Sequence, residues 1–411
     1  MPILPPEAYH IDLPVFRKVR QIFPDEKLDD IRQCIRTELS SPEIDTRPFR
    51  GARVAVLAGS RGISHIDVIA GELIRKLKDW GAEPFIVPCM GSHGGADADM
   101  QQRILEGLGI TGERMGAGIV SEMATTVVGR TRAGVPVHVD QNVLRADFAI
   151  PVNRIKKHTD YDGDLESGLV KMLTVGLGKH NGCFTYHREG LGSFPKLLPE
   201  AASIVMENIQ VPFGLAIVEN AHEHTHAVRA VPGRDLFRQE KSLLELSKSL
   251  MPYLRFEQLD VLIVQKMGKD LSGAGMDPSV TGRTTYGKSA FYKGPQITRL
   301  LVHELSEKSH GNAIGVGFAD FITQKLFDSI DLESTYANVI ACTNVSTGSI
   351  PLIMPDERTA LIAALQSIVK LDPGKARVVR IPDTLHLTEI EVSESLLAEC
   401  ADPDLFEIIS E

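Results

Sequence analysis

Cysteine is scarce and scattered. Five occur in 411 residues (Cys34, Cys89, Cys183, Cys342 and Cys400), an odd number at long intervals with no C-x-x-C pair, which argues against a disulfide framework and against a thiolate metal site. Free thiols are expected. Long apolar runs are missing too: none reaches the roughly 20 residues that span a bilayer, so no membrane association is expected. The opening "MPILPPEAYHIDLP" lacks the basic start, apolar stretch and small-residue cleavage site of a secretory signal, so a cytoplasmic protein is expected. No basic run is present to offset a formal net charge of -10, which disfavours a phosphate backbone and sets nucleic acid aside as a partner. Neither an internal repeat nor a low-complexity tract is present.

What remains is an ordinary globular composition, 43% hydrophobic and 24% charged, in a chain longer than one core usually fills. The expectation is an α/β protein of two α/β domains with a ligand cleft between them. The boundaries are 1-255 for the first domain and 256-411 for the second, with the joint around "MPYLRFEQ". In the first block "RVAVLAGS" (53–60) reads as a strand, "HIDVIAGELIRKLKDW" (65–80) as a helix and "PFIVPCMG" (84–91) as a strand, a parallel βαβ unit whose binding residues belong on the loops at the strand ends. Those loops are "GSRGIS" and "GSHGGAD". Further strands are expected at "TTVVGRT", "PVHVD", "DFAIPVN" and "FGLAIVEN", with a helix over "RQEKSLLELSKSLM". The second block runs from "LDVLIVQKMGKDLSGAGMDP" through "ANVIACTN", a helix at "DERTALIAALQSIV", and "ARVVRI", a second small α/β domain.

Several constellations could carry chemistry. Lys171 stands among Leu169, Val170, Met172, Leu173 and Val175; desolvation would lower its pKa and expose a nucleophilic amine, while a solvent-facing or snorkelling lysine is the alternative. His187 follows 16 residues later, about 24 Å away along an unbroken helix, so the two share a site only if Gly176, Gly178 and Gly182 break the chain. His180 is a second ligand candidate or a cap. His93, between glycines at a strand end, suits a general base or a carbonyl-bonded loop histidine. His158 lies beside Arg154, Lys156 and Lys157, a cluster for an anion or simply a solvated surface. "HEHTH" would place His222, His224 and His226 on one side of a regular strand, a geometry for zinc or nickel or a plain hairpin edge. Lys269, Asp277 and Arg283 in "KDLSGAGMDPSVTGR" could clamp a substrate or form a turn.

Taken together, "GSRGISHI", "GSHGG", the strand leading to His158, the lysine segment and "YHREG" resemble the nickel-pincer lactate racemase family of 2-hydroxyacid racemases and epimerases. The resemblance covers most of the chain in outline and is strongest in the first block. It implies that Lys171 is joined covalently to a nickel-pincer nucleotide, the pyridinium-3-thioamide-5-thiocarboxylic acid mononucleotide, with His187 completing the nickel coordination. It implies that His93 and His158 are paired acid/base groups, and that Arg61 and Ser60 contact cofactor or substrate. It further implies an isomerase acting on a small-molecule 2-hydroxy acid by proton-coupled hydride transfer, with cofactor-synthesis enzymes as partners. Val170 and Val175 stand where the family commonly carries arginine and proline. The tyrosine and lysine that hold substrate in lactate-acting members have no clear match in "GAGMDPSVTGR", so a larger hydroxy acid or a sugar acid is as open as lactate. Two other classes are carried forward. One is a hydrolase or lyase with an ordinary divalent metal on His222, His224 and His226. The other is a non-catalytic protein binding a nucleotide or acidic metabolite through Arg61, Lys156 and Lys157.

Overall fold

In "RVAVLA" successive side chains point to opposite faces, and both faces are apolar, as a strand covered on both sides requires. In the computed structural model, which describes residues 4–60, 62–159, 161–284, 294–341, 344–400 and 402–410, Arg53–Ala58 is such a strand. Val54, Val56 and Ala58 pack with one apolar cluster, Ala55 and Leu57 with another. The helix Ile66–Asp79 buries Ile66, Ile69, Ala70, Leu73, Ile74 and Leu77, the helical spacing visible in the sequence. Each large apolar side chain so buried contributes about 1.5–3 kcal/mol.

The chain divides into two compact units, one of residues 24–251 and one combining the residues up to Phe23 with those from Pro252 onward. Both are α/β. The first holds a five-stranded sheet in the order Glu83–Pro88, Arg53–Ala58, Phe148–Arg154, Phe213–Glu219, Thr225–Pro232. Its first four strands are parallel and the fifth is antiparallel to its neighbour. The helices Ile31–Leu39 and Ile66–Asp79 cover one face; Phe194–Asn208, Leu236–Leu250 and the segment 169–188 cover the other. A hairpin, Thr125–Arg130 with Pro136–Asp140, buries Val137 and Val139 against this second face.

The other unit is built on an eight-stranded sheet in the order Leu352–Met354, Phe321–Thr323, Gln296–Leu305, Gln258–Met267, Val378–Ile381, Glu389–Ser393, Phe16–Gln21, Phe406–Ser410. The first five strands are parallel and the remaining pairings antiparallel. The segment "ANVIA" lies in a helix, Leu332–Ala341.

The expected first domain, 1-255, therefore differs from the observed unit at its start. Phe16–Gln21 is an inner strand of the second sheet, held by ion pairs from Arg17 to Glu394 (2.7 Å), Lys18 to Glu389 (2.9 Å) and Arg20 to Glu407 (2.8 Å). "FRKVRQ" reads as a charged stretch because its partners lie more than 360 residues away. Among the described residues no helix is long and apolar enough to cross a membrane.

Candidate functional site

Three neighbouring parallel strands, Arg53–Ala58, Glu83–Pro88 and Phe148–Arg154, end at the same edge of the first sheet. The loops that follow them carry Ser60, His93 and His158, the usual place for a ligand in an open α/β sheet. All three approach one helical segment. The Gly91 amide donates to Gly176 O (3.3 Å), and a Cβ at Gly176 would stand 2.6 Å from Cys89 O. A Cβ at Gly59 would lie 3.4 Å from Met172 Cε, while Asn153 Nδ2 donates to Gly168 O (2.9 Å). Bare backbone at these glycines lets the strand ends close onto the segment.

Lys171 closes the short helix Leu169–Lys171 and is followed directly by a π-helical turn, Met172–Gly176, a local feature that recurs at functional sites. Its neighbours Leu169, Val170, Met172 and Leu173 are buried, while Lys171 itself is half-buried. The helix start is gripped by Glu240, whose carboxyl accepts from the Val170 amide (3.0 Å). The fully buried amine of this region is Lys179, which pairs with Asp140 (3.2 Å) and donates to Pro88 O (2.6 Å).

The chain breaks between the two halves of the segment: Leu177 and Gly178 form a turn and Lys179 adopts a left-handed conformation (φ 51°). The helix Lys179–Arg188 then carries Cys183 and His187. His187 Nδ1 donates to Cys183 O (2.7 Å), with Cys183 Sγ at 3.5 Å; Ser92 Oγ, from the His93 loop, lies 3.5 Å from the same sulfur. Burial pulls the His187 pKa down, but its hydrogen bond to Cys183 and the charge there leave it raised, and the positive charge of Lys171 works against that rise. Lys171 and His187 are thus near enough to interact electrostatically. Burial pushes the Cys183 thiol up, yet His187 and Ser92 leave it lowered.

His93 Nδ1 is bonded to Ser60 Oγ. Its carbonyl accepts from Gln101 Nε2 (3.0 Å), which also holds Gly91 O (2.9 Å). The His158 ring stacks on Tyr161 (4.3 Å between centroids), Tyr161 meets Phe194 edge-on (5.4 Å), and Phe194 meets His187 (5.3 Å), so an aromatic wall joins the two histidines. Arg61 lies outside the described residues.

The other sequence candidates have contacts of their own. His180 is exposed and stacks on Phe184. Of the "HEHTH" histidines only His226 is in a strand; it bonds to Glu26 O (2.9 Å), and His224 pairs with Asp25 (2.7 Å). His222 lies in a turn whose next residue, Glu223, has a left-handed backbone (φ 58°), so the regular strand expected there is absent. Among the described residues no group of three or more His, Cys, Asp or Glu is arranged to hold a metal ion, which speaks against the zinc or nickel alternative for this motif. Lys157 is buried, paired with Asp162 (3.2 Å), and Arg154 pairs with Glu219. In the other unit Arg283 is held by Asp320 (2.8 Å), the Lys269 amide donates to Ser309 Oγ (2.9 Å), and Asp277 caps a helical turn at Ser279 (2.8 Å). The residues that sequence reasoning missed are Ser92, Gln101, Tyr161, Glu166 and Cys183. Only the four-residue spacing of Cys183 and His187 offered a signal.

No protein-family model and no curated protein matches the sequence. Solved structures do resemble it. The lactate racemase apoprotein from Thermoanaerobacterium thermosaccharolyticum superimposes with a TM-score of 0.55 at 11% identity, over 91% of this chain and 99% of that one. A Thermotoga maritima protein solved in a structural-genomics programme gives 0.53 at 15% identity, over 80% and 83%. At these identities the likeness is one of fold: the chain has a lactate-racemase-like α/β architecture.

Proposed function

We propose that this protein is an isomerase, a racemase or epimerase of a small 2-hydroxy acid, using a nickel-pincer nucleotide tethered to Lys171. What supports the reading is that the loops bearing His93 and His158 both close onto the segment that carries Lys171 and His187. The donor set suits the cofactor. Donation of His187 Nδ1–H to Cys183 O fixes the tautomer whose Nε2 lone pair is free for a metal, and nickel accepts imidazole. Lys171 is half-buried, and a lysine amine is the kind of nucleophile that a covalent tether requires. Because the cofactor would bring its own ligands, a protein-built metal cluster is not required.

When bound, the cofactor would supply reversible hydride acceptance at the substrate Cα. The chain's own part is proton transfer and orientation. His93 and His158, from separate loops, would each take or return the hydroxyl proton on one side of the reacting carbon. With Nδ1–H donating to Ser60 Oγ in both protonation states, the ring would stay held while Nε2 takes and returns the proton. Ser60, with Arg61, would also contact cofactor or substrate.

Co-production with cofactor-synthesis enzymes should add the mass of the mononucleotide, and peptide mapping should locate it on Lys171. The K171A variant should stay unmodified, and H187A should bind less nickel than wild type at an unchanged melting temperature. An adduct on another residue, or none, overturns the assignment.

A further inference from the structure

Two buried groups on the helix Leu236–Leu250 reach the two halves of the site. Glu240 accepts from the Val170 amide, fixing the segment that carries Lys171. Two turns further along, Lys248 Nζ pairs with Glu166 (2.8 Å), and both side chains are almost wholly buried. The Glu166 carboxylate in turn organises the loop that carries His158. Its Oε2 accepts from the His158 amide (2.6 Å) and its Oε1 from the Gly163 amide (3.2 Å). The Tyr161 hydroxyl donates to the Glu166 carbonyl (2.9 Å), placing the ring on which His158 stacks. Two amides and one ammonium already engage this carboxylate, and its side chain is wholly buried, so its task is structural.

We propose that Glu166, with Lys248 as its buried counter-charge, is a positioning residue that holds the His158 imidazole against Tyr161 in the orientation required for proton transfer. The proposal rests on the role assigned to His158 above. Removing Lys248 alone would strip the buried Glu166 of its counter-charge, and removing Glu166 alone would leave Lys248 with the more distant Glu245 (3.6 Å), so the informative variant is the double E166Q/K248M, which removes both charges of the pair. In it one amide oxygen replaces two carboxylate oxygens, and the grip on His158 and Gly163 cannot be kept at both points. E166D, one methylene shorter, keeps the charge pair but not the reach.

The test uses full-length protein carrying isotope-labelled histidine. NMR follows the His158 ring resonances and their titration with pH, a readout that needs neither cofactor nor turnover. Wild type should show the upfield displacement of a ring stacked on tyrosine. In folded E166Q/K248M, and in E166D, that displacement should collapse and the His158 titration midpoint should change. In the cofactor-loaded enzyme kcat should fall about 10²-fold with little change in KM, in keeping with lost orientation. Ring shift and titration midpoint unchanged in both folded variants would overturn the proposal. Loss of the ring shift in a protein that never turns over a hydroxy acid would refute the racemase reading while leaving the positioning role in place.

Discussion

At the scale of single residues the site depends on buried polar groups with unlike tasks. Glu240 is wholly buried, and burial pushes its carboxyl up to about 8, against the opposing hydrogen bonds from the Val170 and Leu169 amides. An acid raised in this way keeps its proton in the fold after the unfolded chain has released it. Stability is therefore fullest below the ordinary carboxylate range, declines as pH rises toward about 8, and levels off beyond. The slope reaches at most about 1.4 kcal/mol per pH unit. Glu240→Gln keeps an acceptor for the Val170 amide and cannot ionise, so urea midpoints measured from about pH 5 to pH 8.5 should fall less steeply than in wild type. A parallel slope would show that Glu240 does not titrate in this window. Lys171 stood out in the sequence because it interrupts an apolar run, and His187 because it follows glycines that can turn the chain back. Glu166, Gln101 and Glu240 could not, because a carboxylate or amide that will be buried by remote elements looks like any surface residue.

At the scale of elements, the decisive one is the segment 169–188, whose regular helix is interrupted twice. The π-helical turn follows Lys171, and the left-handed Lys179 redirects the chain into the helix that carries Cys183 and His187. Gly176 is where the His93 loop and this segment touch. A Cβ there would meet the Cys89 carbonyl at 2.6 Å, whereas one at Gly62 meets nothing within 4 Å. Gly176→Ala should cost about 1–3 kcal/mol in denaturant titration and Gly62→Ala close to nothing; equal stabilities would mean that the contact yields without strain. The short apolar runs of "RVAVLA" and "DFAIPVN" and the helical spacing of 66–79 were legible, since a strand covered on both faces reads as a continuous apolar run and a helix covered on one face as a 3.6-residue repeat. The break after Gly176 was legible only as a possibility, because glycine permits many conformations and packing selects one.

At the scale of the whole molecule, the chain's start belongs to the unit formed by its end. Phe16–Gln21 lies between Glu389–Ser393 and Phe406–Ser410, so a protein beginning at Pro24 would leave two strand edges unpaired. Its amides should lose hydrogen-exchange protection throughout 252–410 while 24–251 keeps wild-type protection. Uniform loss in both units would contradict the independence of the two cores. By itself, the sequence determined that this is an α/β protein, that parallel strands end in glycine-containing loops bearing His93 and His158, and that Lys171 sits in an apolar run, because each follows from local pattern and residue chemistry. Only the tertiary structure decided that His224 and His226 bond to Asp25 and Glu26 while His222 sits in a turn, that Lys179 rather than Lys171 is the fully buried amine, and that Glu166 and Lys248 meet. Those outcomes depend on contacts between residues far apart in the chain, where the cost of burying a charge is offset by a partner that local sequence does not reveal.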